Sequence, residues 1–377
     1  MNNMQGINDL LIYVSDSGEL NDRYVWRREK LYQGMNGRFV ERFYPAPERS
    51  YIFKPVTHEG NGDREAWVYE HILSSFPPIY PQLLGRSAPG LGEAGWSIFE
   101  DLGAIRHRFD VQHALLASEQ IAWWHSYPAE HWGNIPEAGQ KPGLQQMASD
   151  LRERREEAER ALEAAGLPRR LAGDILRRLD QTWLSQWAGE EGKVLSHGDL
   201  HLGNYAVTDG GELYILDWEH AHLNAPFWDL YYLIDMSHPR YPKQMNRAYR
   251  EQILQCYLEQ SAYYGKTWED EEAFIAAYSL FAAVFSLWML LLVANDLEQG
   301  SGVWSQTELL AQRGEVMASL RDCWDRARAG QEQDQDQEQD QEQDQMQVHR
   351  EHKEHKEYKE HKLEKHIFHN TGKAASQ

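Results

Sequence analysis

The segment Ala273–Ala294, AFIAAYSLFAAVFSLWMLLLVA, carries no charge and is long enough to cross a bilayer as a helix. Any fold must hide all sides of it, in lipid or in protein. Its flanks separate the two cases. EDEE precedes it and NDLEQ follows it, and neither supplies the Lys or Arg anchors of a membrane span. The segment is therefore expected to be the central helix of a large protein lobe, with no membrane partner. With 377 residues, 41% of them apolar, the chain can sheath such a helix and still form two lobes rather than one.

The early chain reads as β. RFVERFYPAPERSYIFKPV, from Arg38 to Val56, holds two β-rich runs separated by PAPER, which predicts a hairpin. In the second run Ile52 and Lys54 share one face, and Tyr51 and Phe53 the other. GDREAWVYEHILSSF follows as a helix, with Asp63 placed to cap it and Ala66, Tyr69, Ile72 and Leu73 at helical spacing. GWSIFEDLG reads as a strand running into a turn. From Val111 the pattern turns helical. ASDLRERREEAERALEAAG is expected to be one charged helix ending at Gly166, and PRRLAGDILRRLDQTWLSQW another. The expected architecture is α+β, with a small β-rich lobe over 1–102 and a larger, mainly helical lobe over 103–329.

Beyond Gly330 the chain becomes QEQDQDQEQDQEQDQ and then HREHKEHKEYKEHKLEK. Neither stretch has an apolar face to offset its ordering entropy, so 330–377 is expected to be a disordered tail. Its histidines, His352 and His355 among them, read as solvated charge rather than a metal site, and the tail as a segment able to bind other proteins. The formal charge of −21 gives no basic footprint for nucleic acid. Two cysteines, Cys256 and Cys323, provide neither a disulfide framework nor a cysteine zinc site. The first residues lack a basic stretch followed by an apolar one, so no signal peptide is expected, and the default location is the cytoplasm.

The chemistry concentrates in VLSHGDLHLGNYAVTDGGELYILDWEH, Val194–His220. Gly210-Gly211 suits a two-residue hairpin turn with positive φ at both positions. Counting outward from it pairs Val207 with Tyr214 and Asn204 with Asp217, and opposes Asp209 to Glu212. An amide oxygen and a carboxylate facing each other suit a hard divalent cation that keeps water and phosphate as its other ligands. Asp199 stands upstream in HGD, where a carboxylate can accept the proton of an attacking hydroxyl. His197 is placed to brace this loop. A metal-dependent hydrolase would need a second paired His/Asp motif, which the chain lacks.

HGDLHLGN followed by LYILDWE resembles the catalytic segment of the aminoglycoside phosphotransferase/choline kinase group, small-molecule kinases with a protein-kinase-like fold. The resemblance spans roughly Gly34 to Asp296 and is sharpest here. It implies Asp199 as catalytic base, and Asn204 and Asp217 as ligands of Mg²⁺ on the phosphates of ATP. It implies Lys54 as the strand lysine that contacts the phosphates, with Glu65 as its helix partner and Glu70 as the alternative. It makes Glu100, Asp101 and Leu102 the hinge whose backbone meets the adenine edge. It makes Asp229 a brace of the catalytic loop, and Glu219 a neighbour of the metal. The phosphate-covering loop is expected at YQGMNGRFV, with Gly34, Asn36 and Gly37. Pro55 after Lys54 ends ladder donation and puts Lys54 at a strand end or an edge strand.

The resemblance thus implies an ATP-dependent kinase acting on a small-molecule alcohol of aminoglycoside, amino-sugar or amino-alcohol type, with cationic character. The alternative is a non-catalytic kinase-like scaffold, for example in a spore coat, using the tail for interaction. WWHSYPAEHWGN (Trp123–Asn134) and MSHPRYP (Met236–Pro242) are candidate walls of the acceptor pocket, with a core role the competing reading for Trp123 and Trp124.

Overall fold

The computed structural model describes residues 10–329 apart from 35, 57–62, 134, 137–138, 140, 181–191, 269 and 301–302. The expected tail at 330–377 lies outside the described residues.

The first lobe is built on a five-stranded antiparallel sheet in the order β1-β2-β3-β5-β4. Its strands are β1 (Arg27–Gln33), β2 (Phe39–Ala46), β3 (Arg49–Pro55), β4 (Leu83–Arg86) and β5 (Trp96–Glu100). The β2–β3 hairpin turns at 47–48 alone, because Ala46 already pairs with Arg49. Alternation decides the faces. Tyr51 and Phe53 enter a core with Phe43, Trp96, Ile98, Leu10 and Leu20. Ile52 and Lys54 lie on the opposite face. Pro55 ends β3, as its missing N–H requires. The strand is nonetheless interior, between β2 and β5, so the edge-strand option is excluded. Strand β1 gave no alternating signal because nearly all of its residues are exposed.

Helix α1 (Arg64–His71) packs beside this sheet, with Ala66, Tyr69, Ile72 and Leu73 buried. Asp63 is its N-cap residue but makes no side-chain cap; its carboxylate accepts instead from Gly90 N at 2.9 Å. The predicted cap fails because a nearer donor in another loop satisfies the carboxylate.

The second lobe is helical: α2 (Val111–His125), α3 (Leu144–Glu153), α4 (Arg155–Ala164), α5 (Leu171–Asp180), α6 (Phe227–Ile234), α7 (Arg247–Tyr263) and α8 (Glu271–Gln299), followed by a helix over 306–329, α9. The single charged helix expected to end at Gly166 is broken at Arg154, and both halves, α3 and α4, pack on α8. Helix α8 contains the uncharged run. It is long and apolar enough to cross a membrane, yet it is sheathed by α3, α4, α5 and α6. Phe281, Phe285, Tyr231 and Trp228 fill the seam between α8 and α6.

Short strands accompany these helices: β6 (Ile105–Arg106), β7 (Val194–Ser196), β8 (Tyr205–Thr208), β9 (Leu213–Ile215) and β10 (His222–Asn224), with β7, β8 and β9 packed on α2. They form a β6-β8-β9 sheet and a β10-β7 pair.

Candidate active site

The β8–β9 hairpin is built differently from the expected two-residue turn. Tyr205 pairs with Ile215 and Val207 with Leu213, and Thr208 N donates to Glu212 O at 3.0 Å. The loop is therefore the three residues Asp209-Gly210-Gly211. Only Gly211 has positive φ, at 86°, which matches a type I turn closed by a left-handed residue rather than a turn left-handed at both positions. The register shifts by one. Leu216, not Asp217, sits across from Asn204, and its N–H donates to Asn204 O at 2.8 Å. Asp209 does not oppose Glu212; it pairs with Arg106 at 3.0 Å.

The shift carries Asp217 one step past the ladder. There it adopts φ 62°, ψ 60°, the sole non-glycine with positive φ among the described residues. That conformation costs a residue with a Cβ, so its surroundings must hold it. They do so on both sides. His197 Nε2 lies 2.8 Å from Leu216 O, and the Trp218 indole donates to Ile215 O at 3.2 Å. Trp218 is fully buried against Phe76, Trp124 and His197.

The turned Asp217 faces Lys54. Lys54 Nζ donates to Asp217 Oδ1 at 2.6 Å and to Glu65 Oε1 at 2.9 Å, with Glu219 Oε2 at 4.0 Å. Burial alone would lower the lysine, but Asp217, Glu65 and Glu219 together hold it well above its ordinary pKa. Burial pushes Glu65 upward although Lys54 pulls it down. Glu70, the alternative partner, points elsewhere and pairs with Arg86 at 2.8 Å. Arg64, beside Glu65, donates to Glu219 O at 2.8 Å and to Ala221 O, which fastens α1 to the turn that follows Asp217.

Asp199 sits in the loop between β7 and β8. Asn204 Nδ2 donates to Asp199 O at 2.8 Å and reaches its carboxylate at 3.3 Å. Lys141 Nζ lies 3.3 Å from Asp199 Oδ1. Burial would raise Asp199, but Lys141 and the imidazoles of His201 and His220 leave it below its ordinary value. Behind it, Asp229 at the start of α6 is fully buried and accepts from Ser196 Oγ (2.6 Å), His197 N (2.9 Å), Gly198 N (3.3 Å) and Trp124 Nε1 (3.2 Å). Burial opposes its charge, yet the His125, His197 and Ser196 contacts hold it down to about 2. This carboxylate ties the HGD backbone to the helical core. Gly198 is needed there: at φ +87°, a Cβ would lie 2.2 Å from His220 O.

The loop between β1 and β2 folds on itself. Gly34 N donates to Arg38 O, Gly37 N to Gly34 O, and Asn36 Nδ2 to Val56 O at 2.8 Å. That last bond pins the loop to the chain just after Lys54. At the expected hinge, Glu100 N–H is spent on Gln82 O at 3.0 Å and the Asp101 carboxylate on Arg42 and Gly103 N. Glu100 thus has no N–H to offer an adenine. Among the described residues the main chains of Asp101 and Leu102 make no hydrogen bond, so both are free for other partners.

Of the two candidate pocket walls, Trp124 and Trp132 prove to be core, clustered on Phe76. His238 and Tyr241 of MSHPRYP instead stack on His201 beside Asp199. Lys141 carried no sequence signal. It is a single lysine in a loop, placed at the site by the fold alone. Among the described residues no group of three or more His, Cys, Asp or Glu is arranged to hold a metal. The oxygen donors on offer are Asn204 Oδ1, whose amide nitrogen is already engaged, and the Asp217 carboxylate. Two hard oxygens, one of them charged, fit a magnesium ion that retains other ligands.

The sequence model of a family described as the phosphotransferase enzyme family matches residues 48–269. No curated protein matches the chain at a significant level. Among solved structures, an aminoglycoside phosphotransferase from Alicyclobacillus acidocaldarius subsp. acidocaldarius DSM 446 is similar at 12% identity and a TM-score of 0.55, covering 87% of this chain and 95% of that one. A spectinomycin phosphotransferase in its AMP-bound complex is similar at 14% identity and a TM-score of 0.54, covering 85% and 98%. A choline kinase from Cryptosporidium parvum Iowa II is similar at 14% identity and a TM-score of 0.52, covering 86% and 96%. These likenesses establish the two-lobed kinase-like fold.

Proposed function

Because the chain belongs to the phosphotransferase enzyme family, we propose that it transfers the γ-phosphate of ATP to a hydroxyl group of a small molecule. One observation carries the reading. Lys54 from a strand, Glu65 from a helix and Asp217 from a hairpin end converge on one ammonium group, across from Asp199 and Asn204. Nucleotide use is supported by a neighbour, the spectinomycin phosphotransferase, which was solved with AMP and with ADP and spectinomycin.

Phosphoryl transfer needs positioning and charge neutralisation more than covalent help from the protein. Lys54 contacts the phosphates, and Glu65 keeps it pointed at them. Asn204 and Asp217 would hold magnesium, which would supply neutralisation of the phosphate charge. Asp199 orients the acceptor hydroxyl and takes its proton. Asp229 keeps the HGD backbone in place while this happens, and Leu102 offers its main chain to the adenine.

The test is ATP consumption with Mg²⁺ across a panel of small alcohols, run on the wild type and on Asp199→Asn. The substitution is expected to abolish turnover and leave Mg·ATP binding in place. Turnover that survives it removes Asp199 from its role. No thermal stabilisation by millimolar Mg·ATP removes the kinase reading itself.

A further inference from the structure

We infer that Lys141 is a specificity-determining residue that selects an acceptor carrying an anionic group, a carboxylate or a phosphate, beside the hydroxyl it presents to Asp199. The inference deepens the phosphotransferase reading and rests on it. It also departs from the cationic acceptor that the sequence resemblance implies.

The charge on the acceptor side of Asp199 is the ground for it. Lys141 Nζ lies 3.3 Å from Asp199 Oδ1, and its side chain keeps 32% exposure, so it faces the site rather than being buried behind it. The adjoining wall is His201, stacked on His238 at 4.6 Å and on Tyr241 at 5.9 Å. His201 Nε2 also lies 3.6 Å from Asp199 Oδ2, so this wall abuts the base directly. The full charges that act on His238 are Asp199, Lys141 and Arg240. Arg240 also lies 5.7 Å from the ring of Tyr32 on β1, which puts it at the junction of the lobes. A carboxylate that senses Arg240 is the half-buried Glu308. Lys243 and Asp217 also act on His201, so the charge an acceptor meets first is the cation in direct contact with the base, Lys141, 3.3 Å from Asp199 Oδ1. The chain as a whole is strongly acidic, at −21, but this wall is not.

The consequence is a coupled exchange. A cationic acceptor approaching Asp199 meets Lys141, which already occupies the carboxylate and repels it. An anionic group draws Lys141 away from Asp199 and replaces one charge-assisted bond by another. The move that binds the acceptor's anion also frees Asp199 Oδ1 to accept the hydroxyl proton. The imidazoles and the Tyr241 phenol add hydrogen-bonding groups beside it.

The experiment measures thermal melting of the full chain with Mg·ADP against charge-matched hydroxyl compounds. Glycolate is compared with ethanolamine, and glucuronate and glucose 6-phosphate with glucosamine. The proteins are wild type, Lys141→Met and Lys141→Arg. At least one anion is expected to stabilise the wild type beyond its cationic counterpart, and the carboxylate and phosphate arms report which group is preferred. Lys141→Met is expected to weaken that anion by about tenfold or more. Lys141→Arg is expected to retain the preference, which a merely structural lysine would not require. A preference for the amines, the absence of any anion effect, or an anion effect that survives Lys141→Met overturns the assignment. The Mg·ADP response is read separately in the same samples. An intact ADP response without anion selectivity counts against Lys141 alone, and a missing ADP response with retained selectivity counts against the phosphotransferase reading alone.

Discussion

Lys54 Nζ stands 2.6 Å from Asp217 Oδ1 and 2.9 Å from Glu65 Oε1, so a strand, a helix and a hairpin meet at one ammonium group. Removing the lysine leaves carboxylates facing each other in a nearly closed space. Lys54→Met is expected to destabilise the protein by about 3 kcal/mol, since breaking a buried ion pair from one side strands the other charges. Adding Glu65→Gln should recover part of that loss. Chemical denaturation measures both, and a loss below about 1 kcal/mol would show that the carboxylates reach water instead. Phosphoryl transfer by Lys54→Met is expected to fall by about a hundredfold or more.

Gly198 is placed by geometry. A Cβ on it would press against His220 O at 2.2 Å, at a φ of +87° that side chains avoid. Gly198→Ala is expected to cost about 2 kcal/mol or more, and to displace Asp199 enough to remove measurable transfer. An alanine variant with wild-type melting would falsify the placement of this loop.

The hairpin tip separates two glycines that look alike in the sequence. Gly211 has φ +86° with open space around it, whereas Gly210 does not have positive φ. Gly211→Ala is expected to cost about 1 kcal/mol through backbone strain alone, and Gly210→Ala close to nothing. Equal costs would point to the two-residue turn and its original register.

Asp229 gives a pH dependence with a definite sign. Its folded pKa of about 2 lies below the ordinary 3.8. The folded state therefore gains from the ionised carboxylate above pH 4, by about 2 kcal/mol, and loses that gain as pH falls toward 2. Asp229→Asn lacks the titrating group. The stability gap between wild type and Asp229→Asn should narrow as pH drops from 5 to below 3, as followed by denaturation at each pH. A constant gap would mean that the carboxylate is not what the HGD backbone depends on.

The sequence was most legible where residue type alone dictated placement. Tyr51 and Phe53 had to face away from Lys54 because strands alternate, and the uncharged run around Phe281 had to be enclosed. Local motifs drew Asp199, Asn204 and Asp217 into one segment but missed their register, in which Leu216 rather than Asp217 lies across from Asn204. Two adjacent glycines fit either loop length, and choosing between them takes the packing of Trp218 against Phe76 and Trp124, which is long-range. Asp63 was misread for a related reason: its competing donor, Gly90 N, lies in another loop. Lys141 and Arg240 were illegible, since nothing local distinguishes a lysine or arginine that reaches a site from one that reaches solvent.

The enclosure of α8 has a bearing on how the chain is made. Four of the helices that pack on it, α3 through α6, precede it in order of synthesis. Domains fold from the N-terminal side as the ribosome extrudes them. The greasiest segment therefore emerges after these four partners, into a receptacle largely translated, and spends less time where it could recruit other nascent chains.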